Sequence, residues 1–157
     1  NKNGVRCTLD IFGTPDQSYV KELSEITNGT QSYIKFNDYL SGDGVIDKLN
    51  EFDAMLFPTY YSGEGFPIGI IECFTAGIPV IASDWHYNAE IVQNGKTGFI
   101  FDLNNNKEFL DKIEFLLQDR ESALSLRINA REYSSEFEPE RVLESLFREI
   151  DSNQKKI

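Results

Sequence analysis

Ala54-Met55-Leu56-Phe57-Pro58 opens the stretch that decides the fold, and Gly77-Ile78-Pro79-Val80-Ile81-Ala82 closes it. The opening run is continuously apolar and ends at a proline. A strand apolar on both faces is the pattern of a central strand in a parallel sheet. Between the two runs lie a polar loop, Thr59 to Gly65, and an apolar helix expected from about Pro67 to Ala76. Gly77 is a helix stop, and Pro79 to Ala82 is a second buried strand. Strand, loop, helix, strand is the unit from which α/β folds are built.

The same alternation extends in both directions. Upstream, Val5, Cys7, Leu9 and Ile11 alternate with Arg6, Thr8 and Asp10, a strand with one wetter face. Phe12-Gly13-Thr14-Pro15-Asp16 is turn chemistry. Tyr19, Leu23 and Ile26 recur at helical spacing as far as Asn28-Gly29, Ser32 to Phe36 is a second strand, and Val45, Ile46 and Leu49 mark a short helix. Downstream, Trp85 to Val92 reads as a short helix and Gly98 to Phe101 as the last strand. Asn105 and Glu108 form an Asn-headed analogue of a capping box. Behind them Phe109, Leu110, Ile113, Leu116 and Leu117 make an apolar helical stripe. Leu124, Ile128 and Ala130 predict a second helix, and Val142, Leu143, Leu146, Phe147 and Ile150 a third. The expected fold is one Rossmann-like three-layer α/β domain over residues 1–151, a parallel sheet with helices on both faces. A loose polar tail is expected at 152–157. Ligands of such sheets bind outside the carboxyl ends of the strands, where the loop after Phe57 lies.

Composition narrows the function. The chain has 157 residues and a formal charge of -11, against the clustered Lys and Arg that nucleic acid requires. The same charge disfavours docking on anionic lipid, and no apolar run is long enough to span a membrane. Asn1-Lys2-Asn3-Gly4 is not a signal peptide, and a strand follows almost at once, so the chain reads as a piece of something longer. Cys7 and Cys73 sit in apolar segments without a C-x-x-C pair and read as reduced core residues of a cytosolic protein, with a single disulfide between them left open. One histidine, His86, and two distant cysteines give a metal site poor support.

The chemistry concentrates in Ser62-Gly63-Glu64-Gly65-Phe66-Pro67-Ile68-Gly69-Ile70-Ile71-Glu72. Gly63 and Gly65 allow close approach of the backbone to a ligand. Pro67 suits the first helical turn. The free amides near Phe66, Ile68 and Gly69, with the helix dipole, form an anion site suited to phosphate. Glu72 stands among Ile70, Ile71, Cys73, Phe74 and Ala76, so its carboxylate is expected to be largely buried. An unpaired buried carboxylate costs on the order of several kcal/mol, so Glu72 needs donors. A ribose diol supplies two, and a structural cap or a buried arginine would serve as well. Glu64 precedes the helix, and its plain alternative is a solvated loop acid. Together the two carboxylates bracket an extended ligand with phosphates between, the outline of a nucleotide diphosphate-sugar. Tyr60 and Tyr61 are placed to touch a ligand, or simply to pack. His86 is a tempting base, but no motif sets a nucleophile or carboxylate beside it, so packing or capping is the better reading.

Glu64 and Glu72, separated by seven residues and followed by Cys73-Phe74-Thr75-Ala76-Gly77-Ile78-Pro79-Val80-Ile81-Ala82, resemble the E-x7-E signature of the group 1 family of retaining glycosyltransferases. Pro58 and its loop, Glu90-Ile91-Val92, Asn94-Gly95 and Thr97-Gly98-Phe99-Ile100 fit the same pattern, which covers roughly residues 5 to 150. The resemblance implies the carboxy-terminal, donor-binding half of a GT-B enzyme. It implies that Glu64 is the catalytic carboxylate that meets the transferred sugar and distal phosphate. Glu72 would hold the ribose, while Gly65, Phe66, Pro67 and Ile68 line the sugar–diphosphate cleft. The loop Phe36 to Tyr39, with Asn37 and Tyr39, would lie near the nucleobase. It implies transfer of a sugar to an acceptor hydroxyl with retention, without cofactor or bound metal, in cytoplasmic polysaccharide or glycan synthesis, with peripheral attachment at the inner membrane face left open. The implied partners are a nucleotide-sugar donor and an amino-terminal acceptor domain of the same chain. Two departures stand out. The family's basic pair, normally upstream of the first strand, is missing, and the usual Gly-x-Gly turn is Gly13-Thr14-Pro15. Weak donor binding and no transfer are therefore expected from this stretch alone. A sugar-nucleotide epimerase relative and a non-catalytic nucleotide-binding or interaction module are the competing readings.

Overall fold

Val80–Ser83 is buried at every residue, and the carboxy-terminal part of the chain is arranged around it. The computed structural model describes residues 7–14, 16–26, 33–42 and 44–154. The chain divides into two compact units, Asn1–Val45 and Ile46–Ile157.

In the first unit, β1 (Leu9–Phe12) pairs in parallel with β2 (Ile34–Asn37), in the register Leu9↔Ile34 to Phe12↔Asn37. Helix α1 (Gln17–Ile26) lies between them in sequence, as a parallel pair demands. Asp16 starts that helix, accepting from the Ser18 hydroxyl at 2.5 Å and the Ser18 amide at 2.7 Å. These donors, the hydroxyl foremost, hold the Asp16 carboxyl below its usual range. The expected strand residues Val5 and Arg6, the Asn28-Gly29 helix stop and Ser32 lie outside the described residues.

Helix α2 (Val45–Leu49) precedes β3 (Met55–Phe57), α3 (Ile68–Thr75), β4 (Val80–Ser83), α4 (Asn88–Ile91) and β5 (Gly98–Phe101). The three strands form a parallel sheet in the order β3-β4-β5. Within that sheet β4, not β3, is the central strand. The run Met55–Phe57 is half-buried throughout, which corrects the expectation of a strand buried on both faces.

The alternation of side chains along a strand divides two cores. Val80 and Ala82 join Ile70, Cys73, Phe74, Ile78, Ile91, Val92 and Ala130 on one side, with Met55, Phe57 and Ile100 against them. Ile81 joins Phe99, Phe101 and Leu126 in the other, with Leu56, Phe109, Ile113 and Leu116 against them. Helix α5 (Asn106–Gln118) therefore packs by Phe109, Ile113 and Leu116, while Leu110 of the expected stripe is 61% exposed. Asn105 caps α5 by accepting from the Glu108 amide at 3.1 Å. The reciprocal bond of a full capping box goes elsewhere: Glu108 accepts from the Asp102 amide at 3.3 Å.

Asp119 caps α6 (Arg120–Tyr133) through the Ser122 amide and hydroxyl, and these bonds, the amide first, lower its carboxyl below the usual range. On α6 the inward face is Leu126 and Ala130. Leu124 and Ile128, which helped to predict this helix, face outward. A 3-10 turn (Ser134–Phe137) leads to α7 (Pro139–Gln154). This helix runs past Asp151, where the tail was expected, and its whole apolar stripe, Val142 to Ile150, is exposed.

Two glycines are structural. Gly77, at φ +68, ends α3: its amide donates to the Phe74 carbonyl and that of Ile78 to the Cys73 carbonyl, both at 2.8 Å, a Schellman stop. Gly98 faces Val80 across the sheet, and a Cβ there would stand 2.0 Å from the Val80 carbonyl oxygen, backbone that cannot swing aside. Gly98→Ala is therefore expected to lower unfolding stability by about 3 kcal/mol or more. Urea unfolding of the variant against the parent chain measures it.

Candidate functional site

The polar loop after β3 is held by what comes after β3's neighbour in the sheet. Ser83, the last residue of β4 and fully buried, donates its hydroxyl to the Thr59 carbonyl at 2.6 Å. Just beyond it, the Trp85 indole donates to the Tyr61 carbonyl at 2.8 Å. Asn88, itself buried, braces Ser83 from below by donating to its carbonyl at 3.1 Å. A turn then closes from the Glu64 amide to the Tyr61 carbonyl at 3.1 Å. The loop lines an open depression of about 480 Å³ bounded by Pro58, Thr59, Tyr60, Tyr61 and Ser62.

Glu64 comes out of this turn half-buried, and Thr59 donates to its Oε2 at 3.0 Å. Gly65 and Phe66 follow, both exposed. Phe66 is not given wholly to the cleft, because its ring lies 6.2 Å from that of Phe137. Pro67 is buried and stands at the N-cap of α3, one residue earlier than the first-turn position expected of it. It makes no side-chain cap, and its carbonyl takes the Ile70 amide at 3.0 Å. No described residue accepts from the amides of Ile68 and Gly69. They are the unspent donors of a helix start, and the positive end of the helix dipole adds to them. The Ile68 side chain is 68% exposed beside them.

Glu72 lies one face further along α3. It is half-buried, not largely buried as expected: α3 packs Ile70, Cys73 and Phe74 inward and leaves the Glu72 side at the margin of the core. The exposed helix edge resolves the burial problem without an internal arginine. Among the described residues, none of the ion pairs involves Glu64 or Glu72. The adjacent Cys73 is different. Burial pushes its thiol up to about 12, with the Glu72 carboxylate adding to the effect, and its Sγ lies 3.1 Å from Met55 Sδ. Both cysteines are free, but only Cys73 is a core residue. Cys7 is exposed, contrary to the sequence reading.

Asn37 and Tyr39 belong to the first unit. Asn37 ends β2 with its amide committed to Asp10 Oδ1 at 3.0 Å, and its carbonyl takes the Gly13 amide at 3.2 Å. Tyr39 is 77% exposed. His86, read as a packing residue, sits between Trp85, at 4.9 Å edge-on, and Tyr87, at 6.5 Å stacked. Sequence reasoning did not find its backbone: φ is 48°, the left-handed region that non-glycine residues enter at a cost. It also missed Thr59 and Ser83, whose signal was only that they border buried strand ends. Among the described residues no group of three or more His, Cys, Asp or Glu side chains converges as a metal-binding set, and no helix is long and apolar enough to cross a membrane.

A model of the glycosyl transferases group 1 family matches residues 1–133. The chain belongs to that family. It is similar to spore coat protein SA of Bacillus subtilis, 34% identical over 140 residues, covering 87% of this chain and 36% of that protein. A GDP-mannose-dependent alpha-(1-6)-phosphatidylinositol monomannoside mannosyltransferase of Mycobacterium tuberculosis is 36% identical over 122 residues, 73% of this chain and 32% of that enzyme. Among solved structures, Anabaena HepE in complex with UDP and glucose superposes with a TM-score of 0.75 at 21% identity, covering 96% of this chain and 41% of HepE. That likeness shows the GT-B glycosyltransferase fold. The chain spans 24% to 36% of the length of the first curated relatives it matches.

Two predictions follow from the site's chemistry. The unfolded Cys73 thiol ionises near 9, while the folded one keeps its proton to about 12. The unfolded state therefore binds fewer protons in that window, and the Cys73 contribution to stability falls as pH rises from about 9 to about 12. Denaturant unfolding across that range should show a decline that Cys73→Ala reduces. For His86, replacement by Gly should leave stability equal or raise it by up to about 1 kcal/mol, whereas β-branched His86→Val should lose about 1 kcal/mol or more, read by thermal unfolding.

Proposed function

We propose that this chain is the donor-binding domain of a retaining glycosyltransferase, taking a nucleotide diphosphate-sugar whose sugar passes to an acceptor hydroxyl. The observation that carries the reading is the start of α3. Two unspent amides, of Ile68 and Gly69, stand between Glu64 and Glu72, two half-buried carboxylates without a cationic partner among the described residues. Amides of this kind take phosphate oxygens, and carboxylates of this kind take hydroxyl donors. Glu64 is assigned to the transferred sugar and Glu72 to the ribose, with Gly65, Phe66, Pro67 and Ile68 along the sugar–diphosphate path.

The helix start supplies only part of the positive charge that a departing diphosphate needs. The remainder is assigned to the amino-terminal half of a longer enzyme, which also holds the acceptor. The relatives that extend well beyond the matched region support this arrangement. Bound metal is not required by the chemistry assigned to these residues, and a cytoplasmic setting in glycan or polysaccharide synthesis suits a nucleotide-sugar user.

Titration of the chain with UDP, GDP and ADP, followed by protein NMR, tests the reading. Selective amide shifts over residues 64 to 72 with one nucleotide, weakened about tenfold or more in Glu72→Ala, are expected. Binding untouched by Glu72→Ala would instead favour a non-catalytic nucleotide module.

A further inference from the structure

We infer that Thr59 is a positioning residue for Glu64, holding its carboxylate in one orientation, and that Ser83 fixes Thr59 in turn. The inference rests on the reading of Glu64 as the carboxylate that meets the donor sugar.

Thr59 Oγ1 makes two hydrogen bonds with different senses. It accepts from the Tyr61 amide at 3.3 Å and donates to Glu64 Oε2 at 3.0 Å. A hydroxyl carries a single proton, and an amide hydrogen already fills one of its lone pairs. The proton is thus left to point at the carboxylate. A neutral donor facing an ionised acceptor makes a charge-assisted bond, stronger than one between neutral groups. The other end of Glu64 is also fixed, through its amide on the Tyr61 carbonyl. Only Oε2 is engaged by a described residue. The second oxygen, Oε1, is the acceptor left for a ligand hydroxyl.

Thr59 can aim the carboxylate only if it is itself immobile. Its carbonyl accepts from the Ser83 hydroxyl at 2.6 Å, and Ser83 is 0% exposed at the end of the buried β4. The Ser83 carbonyl accepts from Asn88, which is 1% exposed. The series Asn88, Ser83, Thr59, Glu64 thus carries the rigidity of the core out to a half-exposed side chain. If the hydroxyl of Thr59 served only to shape the turn, its bond with the Tyr61 amide would suffice. The bond to Glu64, 5 residues further on, adds a second tie that fixes the carboxylate itself.

Thr59→Val keeps the shape and deletes the hydroxyl, and Thr59→Ser keeps the hydroxyl. Without ligand, the Hα–Hβ couplings of Glu64 should report one rotamer in the parent chain and in Thr59→Ser, and averaging in Thr59→Val, with the methyl spectra of Val80 and Ile81 unchanged as the check on folding. The probes are then UDP with UDP-glucose, GDP with GDP-mannose, and ADP with ADP-glucose. For the pair that binds, Thr59→Val should weaken the sugar nucleotide about three- to tenfold and the plain diphosphate by less than about twofold, with Thr59→Ser restoring the parent affinity. A single Glu64 rotamer retained in Thr59→Val, or equal weakening of both members of the pair, overturns the positioning role. A Glu64 rotamer that responds to Thr59→Val in a chain that binds none of the six probes upholds the positioning role and overturns the donor reading.

Discussion

A wholly buried strand must satisfy its polar groups inside the protein, and the carboxyl end of β4 meets that demand by reaching for the loop beside it. Ser83 gives its hydroxyl to Thr59, and Asn88 gives its amide to Ser83. The indole of Trp85 does the same for Tyr61. The loop after β3 is exposed, yet its backbone is pinned at two carbonyls by donors from the next strand end. The satisfaction of a buried strand and the ordering of the candidate site are therefore one set of hydrogen bonds. A loss of packing in β4 would reach Glu64 through that set, without any contact between the core and the ligand.

The site is poor in cations. The chain carries -11 at neutral pH, and the described ion pairs lie on exposed helices elsewhere, where such pairs contribute little. What the start of α3 leaves open is backbone, with the cap position taken by a proline that has no side-chain acceptor to spend there. An Asp or Ser at that position would cap the helix with its own side chain. Pro67 leaves the amides open while anchoring the turn by burial.

Much of the fold was legible in the sequence because each element repeats one pattern at one period. The order of strands and helices, the stop at Gly77 and the cap at Asn105 were all local readings, and the structure contains them. The membership of the group 1 glycosyl transferases was legible in the spacing of Glu64 and Glu72 and in the residues after them. Burial was read less well. Met55–Phe57 is apolar throughout but lies at the edge of its sheet. Cys7 was read as a core residue and is exposed. Glu72 sits in an apolar stretch and remains half-exposed. Each of these depends on which neighbours arrive from elsewhere in the chain.

The sequence by itself determined the α/β class, the element order and the family, because these are written in periodicity, turn residues and spacing. Only the tertiary structure decided that β4 is the central strand of β3-β4-β5, that α6 turns Leu126 and Ala130 inward, that His86 takes a left-handed backbone, and that Thr59 and Ser83 stand behind Glu64. The physical reason is the range of the interactions. Propensity and capping act within a few residues, so a window of sequence contains them. Burial and the bond from Ser83 to Thr59 join residues far apart in the chain, and exist only once the strands have paired.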